Sequence, residues 1–403
     1  MIPLVGRGFR VQGSPLVSMP QSSGEQQLAL PPAPQQGAPA PRRSPARLVA
    51  VVVGVVFGLL SASHRLPVVA GGGTFALFLV GFLLALGVGN ALFAAVARPA
   101  GLAVVWAAFG GGRWAGSALV RGRLVSVRWL PLIPFVACLV IVDRPGLRRR
   151  LWCWTAVAVV GELAAGGVLA AVGSPPVAAL GWGVVAMTAL ASFANPLTPG
   201  SRAWLLLRMP FRPEALTELV HEPALADVAA ALSAGRVRAA RAALDAAVRP
   251  DSPRHLWARA AVASAEGRHA EAADLAHTMY QESGLEQVRT VALSLYARAL
   301  ADGAAAGVWT REQILPGFTA TLAGLRATRP AVVRYTDLGA IEAMLLRDDP
   351  VRAARLARFA AAMAPDALAR AHALRTLAAA LTWTGDSAPA GKALARATAL
   401  SPR

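Results

Sequence analysis

Between Arg65 and Arg98 the chain runs for 32 residues, 66–97, without one charged side chain. An uncharged run of that length has few places to go in a fold. Its second half, residues 75–96, exceeds the roughly 20 apolar residues that carry a helix across a bilayer. In hydrocarbon a backbone must satisfy its own hydrogen bonds, so such a segment is expected to be a helix.

The neighbouring sequence extends this pattern. Apolar residues make up 55% of the 403-residue chain, a share typical of membrane proteins, and they concentrate in residues 48–195. Further spans are expected at 48–63, 151–172 and 177–195. Gly54 and Gly58 in the first of these form a small-xxx-small pair that would admit a close neighbour. Residues 98–150 differ, with nine arginines. Residues 102–109 have strand character, and 117–120 and 124–130 flank Arg121-Gly122-Arg123, a hairpin signal. The apolar piece 130–142 is too short to span and is expected to be re-entrant or surface-lying.

Arginine placement orients the spans. Segments 64–65 and 173–176 hold one arginine together, whereas 98–150 holds nine and the flank before residue 48 adds three. Four spans with both termini on the cytosolic side of the cell membrane satisfy the positive-inside bias. The same bias accounts for much of the +18 formal charge. Nucleic acid is not an expected partner, because the aromatic-plus-basic platforms of its readers are missing. Residues 1–46, rich in Pro, Gln, Ser and Gly, are expected to be disordered, and they lack the basic start and apolar core of a signal peptide. Cys138 and Cys153 are too few for a disulfide framework or a cysteine zinc site.

From residue 211 the composition shifts to Ala, Arg, Leu and acidic residues at helical spacing. Breaks recur at Gly235-Arg236, Gly267-Arg268, Asp348-Asp349 and Gly385-Asp386. The separations lie close to the roughly 34-residue tetratricopeptide period. Residues 211–403 are therefore expected to form four or five stacked helix pairs. The expected organisation is a disordered tail at 1–46, a membrane domain at 47–210 and a cytosolic helical-repeat domain at 211–403. The fold class is all-α, a polytopic membrane protein with a small β-ribbon between spans.

Three places in order along the chain resemble the site-2-protease family of intramembrane zinc metallopeptidases. There a membrane helix carries H-E-x-G-H-A, because two imidazoles at i and i+4 share one helical face and can reach one metal. This chain has Leu86, Gly87 and Asn90 at the first His, the Glu and the second His, while Gly89 and Ala91 match. The ribbon, with Leu130-Pro131, is similar to the family's ribbon ending in L-P. In the last expected spans Val160-Gly161-Glu162 stands near the family's A-G-P, Asn195 matches its N-x-x-P, and Arg202-Ala203 stands where the family's Asp-Gly supplies the third zinc ligand.

The resemblance implies the scaffold and denies the chemistry. No histidine occurs between His64 and His221. Without a bound metal no water has its pKa brought towards 7, and hydrolysis lacks its nucleophile. No catalytic residue, metal or cofactor is expected, and Leu86, Gly87, Asn90 and Arg202 are the degenerate positions. Glu162 is the one carboxylate within an expected span, a position where charge is costly. It and Asn195 are the other candidate residues; Asn90 and Asn195 are expected to bond between helices. His269, Glu271, Asp274 and His277 are read as a solvated helix face, since residues eight apart on a helix lie about 12 Å apart. The tryptophans near span ends are expected to anchor at the bilayer interface. The expected function is a non-catalytic, membrane-anchored interaction scaffold, with lipid around its spans and a protein partner on its helical repeats. The alternatives are an unrelated anchored adaptor or a small transporter using Glu162.

Overall fold

A computed structural model describes residues 71–130, 135–193, 196–197, 199–211, 214–217, 219–248 and 253–401. The expected tail at 1–46, the expected span at 48–63 and Asn195 lie outside the described residues. Three described helices are long and apolar enough to cross a membrane: α1 (Gly71–Ala95), α3 (Leu147–Val172) and α4 (Pro175–Phe193). They coincide with the other three expected spans. The short α2 (Ala97–Ala100) follows α1 and ends on Gly101 in the left-handed conformation.

α4 lies between the other two long helices, and the contact is backbone to backbone. A Cβ on Gly183 would stand 2.1 Å from the Phe78 carbonyl oxygen, and one on Gly81 would stand 2.1 Å from that of Leu180. On the other side a Cβ on Gly181 would stand 2.5 Å from the Ala170 nitrogen and 2.7 Å from the Gly166 carbonyl oxygen of α3. Small residues let helix backbones approach where no hydrophobic force drives association.

The segment between α2 and α3 forms β1 (Leu102–Phe109), β2 (Gly111–Val120), β3 (Arg123–Leu130) and β4 (Val136–Val142). With the short β5 (Val220–His221) they make one sheet in the order β2-β3-β1-β4-β5. The hairpin lies at the expected place. Arg121 and Gly122 both have positive φ, 50° and 76°, as a two-residue loop matching the strand twist requires. β3 returns parallel to β1, with Phe109 opposite Val127. One expectation fails here. The second half of 130–142 is not re-entrant or surface-lying but a strand, antiparallel to β1 and parallel to β5. β4 reads as unbroken apolar sequence because α1 packs on the sheet there and no face of the strand is fully exposed, the pattern of a strand covered on both sides.

The remainder is helical: α5 (Arg202–Leu207), α6 (Glu214–Thr217), α7 (Pro223–Ser233), α8 (Val237–Asp245), α9 (Pro253–Glu266), α10 (His269–Glu282), α11 (Glu286–Ala305), α12 (Arg311–Thr328), α13 (Pro330–Tyr335), α14 (Leu338–Arg347), α15 (Pro350–Met363), α16 (Ala367–Trp383) and α17 (Ser387–Leu400). All four expected breaks separate helices, and each turns on a left-handed residue: Gly235, Gly267, Asp348 and Gly385. Proline opens α7, α13 and α15, where its missing N–H costs nothing. Consecutive helices pack on one another, through a Leu-, Phe- and Tyr-containing core in the middle and a core made mostly of alanine around α15–α17. His269 is buried, Glu271 and His277 are half-buried and Asp274 is exposed, so the solvated face expected at His269–His277 holds only in part.

The sheet joins the two halves. Ala97, Ala100 and Leu102 share a core with Leu151 of α3, Trp204 of α5 and Leu219. From the other side Ser233 of α7 donates to the Val105 carbonyl at 3.5 Å, and Arg128 donates to the Ala364 carbonyl at 2.8 Å.

Candidate functional site

Glu162 sits midway along α3 and is 4% exposed. A carboxylate there needs partners, because burial without them costs several kcal/mol. Two helices supply them. Thr188 of α4 donates to Oε2 at 3.1 Å. Arg202, the first residue of α5, donates through Nη1 to Oε1 at 3.1 Å and Oε2 at 3.0 Å. Ser201 caps α5 by accepting from the Trp204 N–H, and so fixes where the arginine starts its reach. The guanidinium lies over the Phe93 ring of α1, 4.5 Å from its centroid, a cation–π contact.

Gly89 makes room for this pair. A Cβ at that position would stand 2.2 Å from Arg202 Nη2 and 2.7 Å from Glu162 Oε1. The next residue, Asn90, donates from Nδ2 to the Phe135 carbonyl at 3.4 Å. Asn90, Phe93 and Arg202 all line a cavity of about 690 Å³. Trp106, Leu139 and Ile141 of the sheet and Trp257, Gln287 and Asp366 of the helical region also line it.

Of the positions that the resemblance singled out, Arg202 is thus brought against the motif helix at Gly89, and Asn90 shares its cavity. Gly87 is buried and Leu86 half-buried on α1, and Leu86 is not part of the cavity wall. Glu162 joins the cluster through Arg202. Thr188 and Phe93 were not foreseen; a hydroxyl within an apolar helix was the available cue for the first, and none marks the second. The residues do not fit a zinc ion. The one carboxylate is bound to a guanidinium, and the remaining polar group on α1 is an amide. Among the described residues no group of three or more His, Cys, Asp and Glu side chains could hold a metal.

Three other groups that line the cavity, Asp366, Cys138 and His221, have shifted pKa values. Asp366 caps α16, accepting from the Ala369 N–H at 2.8 Å. Burial outweighs the backbone bonds that favour its charged form and raises its pKa to about 6. Burial also pushes the Cys138 thiol up to about 11, with the Asp366 charge adding to the effect. His221 is lowered to about 4 by burial and then by the Arg254 charge, against bonds to the Leu219 and Ile141 backbone. Near neutral pH the Cys138 thiol and the His221 imidazole are therefore uncharged, whereas Asp366 still ionises for the most part. Compared with protein-family models, curated proteins and solved structures, the chain matches none.

Proposed function

We propose that this chain is a non-catalytic integral membrane protein on a site-2-protease-like scaffold, acting as a membrane-anchored interaction platform. The observation that carries the reading is the meeting of Arg202 with α1 at Gly89. The stretch that stands for the family's H-E-x-G-H and the Arg202 that stands for its third ligand, far apart in sequence, lie side by side, and a guanidinium occupies the meeting point. On this reading α1, α3 and α4 cross the cell membrane with a fourth span before them, and both termini face the cytosol. Residues 211–403 form tetratricopeptide-like repeats that hold a protein partner. With both carboxylate oxygens engaged, Glu162 acts as a fixed internal brace, which favours the scaffold over transport.

Metal analysis of the purified full-length chain, alongside cleavage of a model transmembrane peptide, tests this. Neither zinc at one per chain nor cleavage is expected. Stoichiometric zinc together with cleavage abolished by a chelator would overturn the reading.

A further inference from the structure

A second cluster of charge lies away from the Glu162–Arg202 pair, where the β2–β3 hairpin meets α16 and α17. The Arg370 guanidinium of α16 stacks on the Trp114 ring, 4.9 Å from its centroid. Its Nε and Nη1 are buried and have no hydrogen-bond partner among the described residues. Arg128 and Arg396 are near enough for their charges, after burial, to lower its pKa further. Arg128 spends its outer nitrogens on the neutral carbonyls of Gly112 and Ala364, at 2.9 and 2.8 Å. Among the described residues no carboxylate pairs with any of the three. Arg370 also stands in the first turn of its helix, where the backbone dipole disfavours a cation. Buried donors without partners are costly, and three converging cations call for an anion.

The position of the cluster says which anion. The Asn90 bond to Phe135 ties this end of the sheet to α1 at a point five residues before that helix ends, about 7.5 Å along its axis. Phe135 packs edge-on against Phe109, with ring centroids 5.0 Å apart, and Phe109 pairs with Val127, the residue before Arg128. Here the sheet exposes Phe109, Trp129 and Leu130, with Trp129 73% exposed. By strand alternation Leu130 shares the face of Arg128, whereas Trp129 and Phe109, which pairs with Val127, lie on the other face. An exposed apolar end of the sheet next to unmatched arginines, level with the last turns of an apolar helix, suits the boundary between acyl chains and headgroups.

We propose that Arg370, Arg128 and Arg396 bind the phosphate of an anionic phospholipid whose chains run past the exposed end of the sheet, against Leu130 and then Trp129 and Phe109. The proposal rests on the membrane reading above. The test uses the full-length chain in nanodiscs of phosphatidylcholine, with and without phosphatidylglycerol, and native mass spectrometry of the lipid retained on release. Retention of phosphatidylglycerol over phosphatidylcholine is expected. Arg370→Gln should reduce it by about tenfold or more, the worth of one charge-assisted contact. Arg396 is exposed and makes no hydrogen bond or ion pair among the described residues, so Arg396→Gln should weaken retention even if Arg370→Gln does not fold. Equal retention of the two lipids, or retention unchanged in both variants, would overturn the site. Inorganic phosphate retained by the chain and lost in Arg370→Gln, with no preference for phosphatidylglycerol, would overturn the lipid and leave a site for free phosphate. Failure of the chain to enter phosphatidylcholine discs would instead remove the membrane reading, and the proposal with it.

Discussion

Arg202 and Glu162 are coupled because neither charge is tolerable alone where it sits. Replacing one member of a buried pair strands the other, at about 3–5 kcal/mol, whereas replacing both with apolar or neutral groups can be nearly neutral. Arg202→Met and Glu162→Gln should therefore each destabilise the chain, and the double variant should recover most of the loss. Thermal unfolding of the four proteins in one detergent gives the coupling; additive losses would deny it. Gly89→Ala is a sharper probe. The single added methyl group overlaps the guanidinium, so a loss of about 1–3 kcal/mol is expected, and the loss should shrink in the Arg202→Met background. The sequence exposed Glu162 by its charge and Asn90 and Arg202 by their alignment with a family motif. It could not reveal the partner of Glu162. That partner lies 40 positions later, past the end of another helix, and no local spacing encodes such a meeting.

At the scale of elements, α16 and β5 carry opposite pH signatures. The raised pKa of Asp366 means that its neutral form is favoured in the fold. Its contribution is complete below the ordinary carboxylate range and is lost as pH rises from about 4 to about 6. His221, lowered to about 4, works the other way: its contribution is complete above about 6.5 and is lost as pH falls to about 4. The two oppose one another in the native chain. Asp366→Asn keeps the helix cap, since Asn caps as well as Asp, and removes one slope. Its stability relative to wild type should rise with pH between 4 and 6; chemical unfolding across that range checks this, and parallel profiles would contradict it. The apolar helices offer a second prediction. Gly183→Val would drive a side chain into the Phe78 carbonyl and separate α1 from α4, at about 1–3 kcal/mol. The helix ends and the hairpin were legible because Gly, Pro and a charge-free run act locally. β4 was not, because its uniform apolarity reflects cover from two sides that come from distant sequence.

Across the whole molecule the sheet is the joint. It takes strands from before α3 and after α5, and it is held by bonds from α7 and from the α15–α16 corner. The helical region is thus fixed against the apolar helices rather than tethered to them. If those helices span with the arginine-rich segment inside, residue 392 lies on the cytosolic side. In a background lacking Cys138 and Cys153, Lys392→Cys should resist an impermeant maleimide in intact cells and react after permeabilisation. Labelling of intact cells would reverse the orientation.

By itself the sequence determined the apolar helices, the hairpin and the punctuation of the helical region. Each follows from composition and backbone preference within one or two turns of chain. Only the tertiary structure decided that Arg202 would reach Glu162 across Gly89, that β4 would enter the sheet, and that one cavity would join the two halves. Those outcomes depend on which surfaces meet. An unmatched charge or an uncovered apolar face selects its partner through space, whatever the separation along the chain.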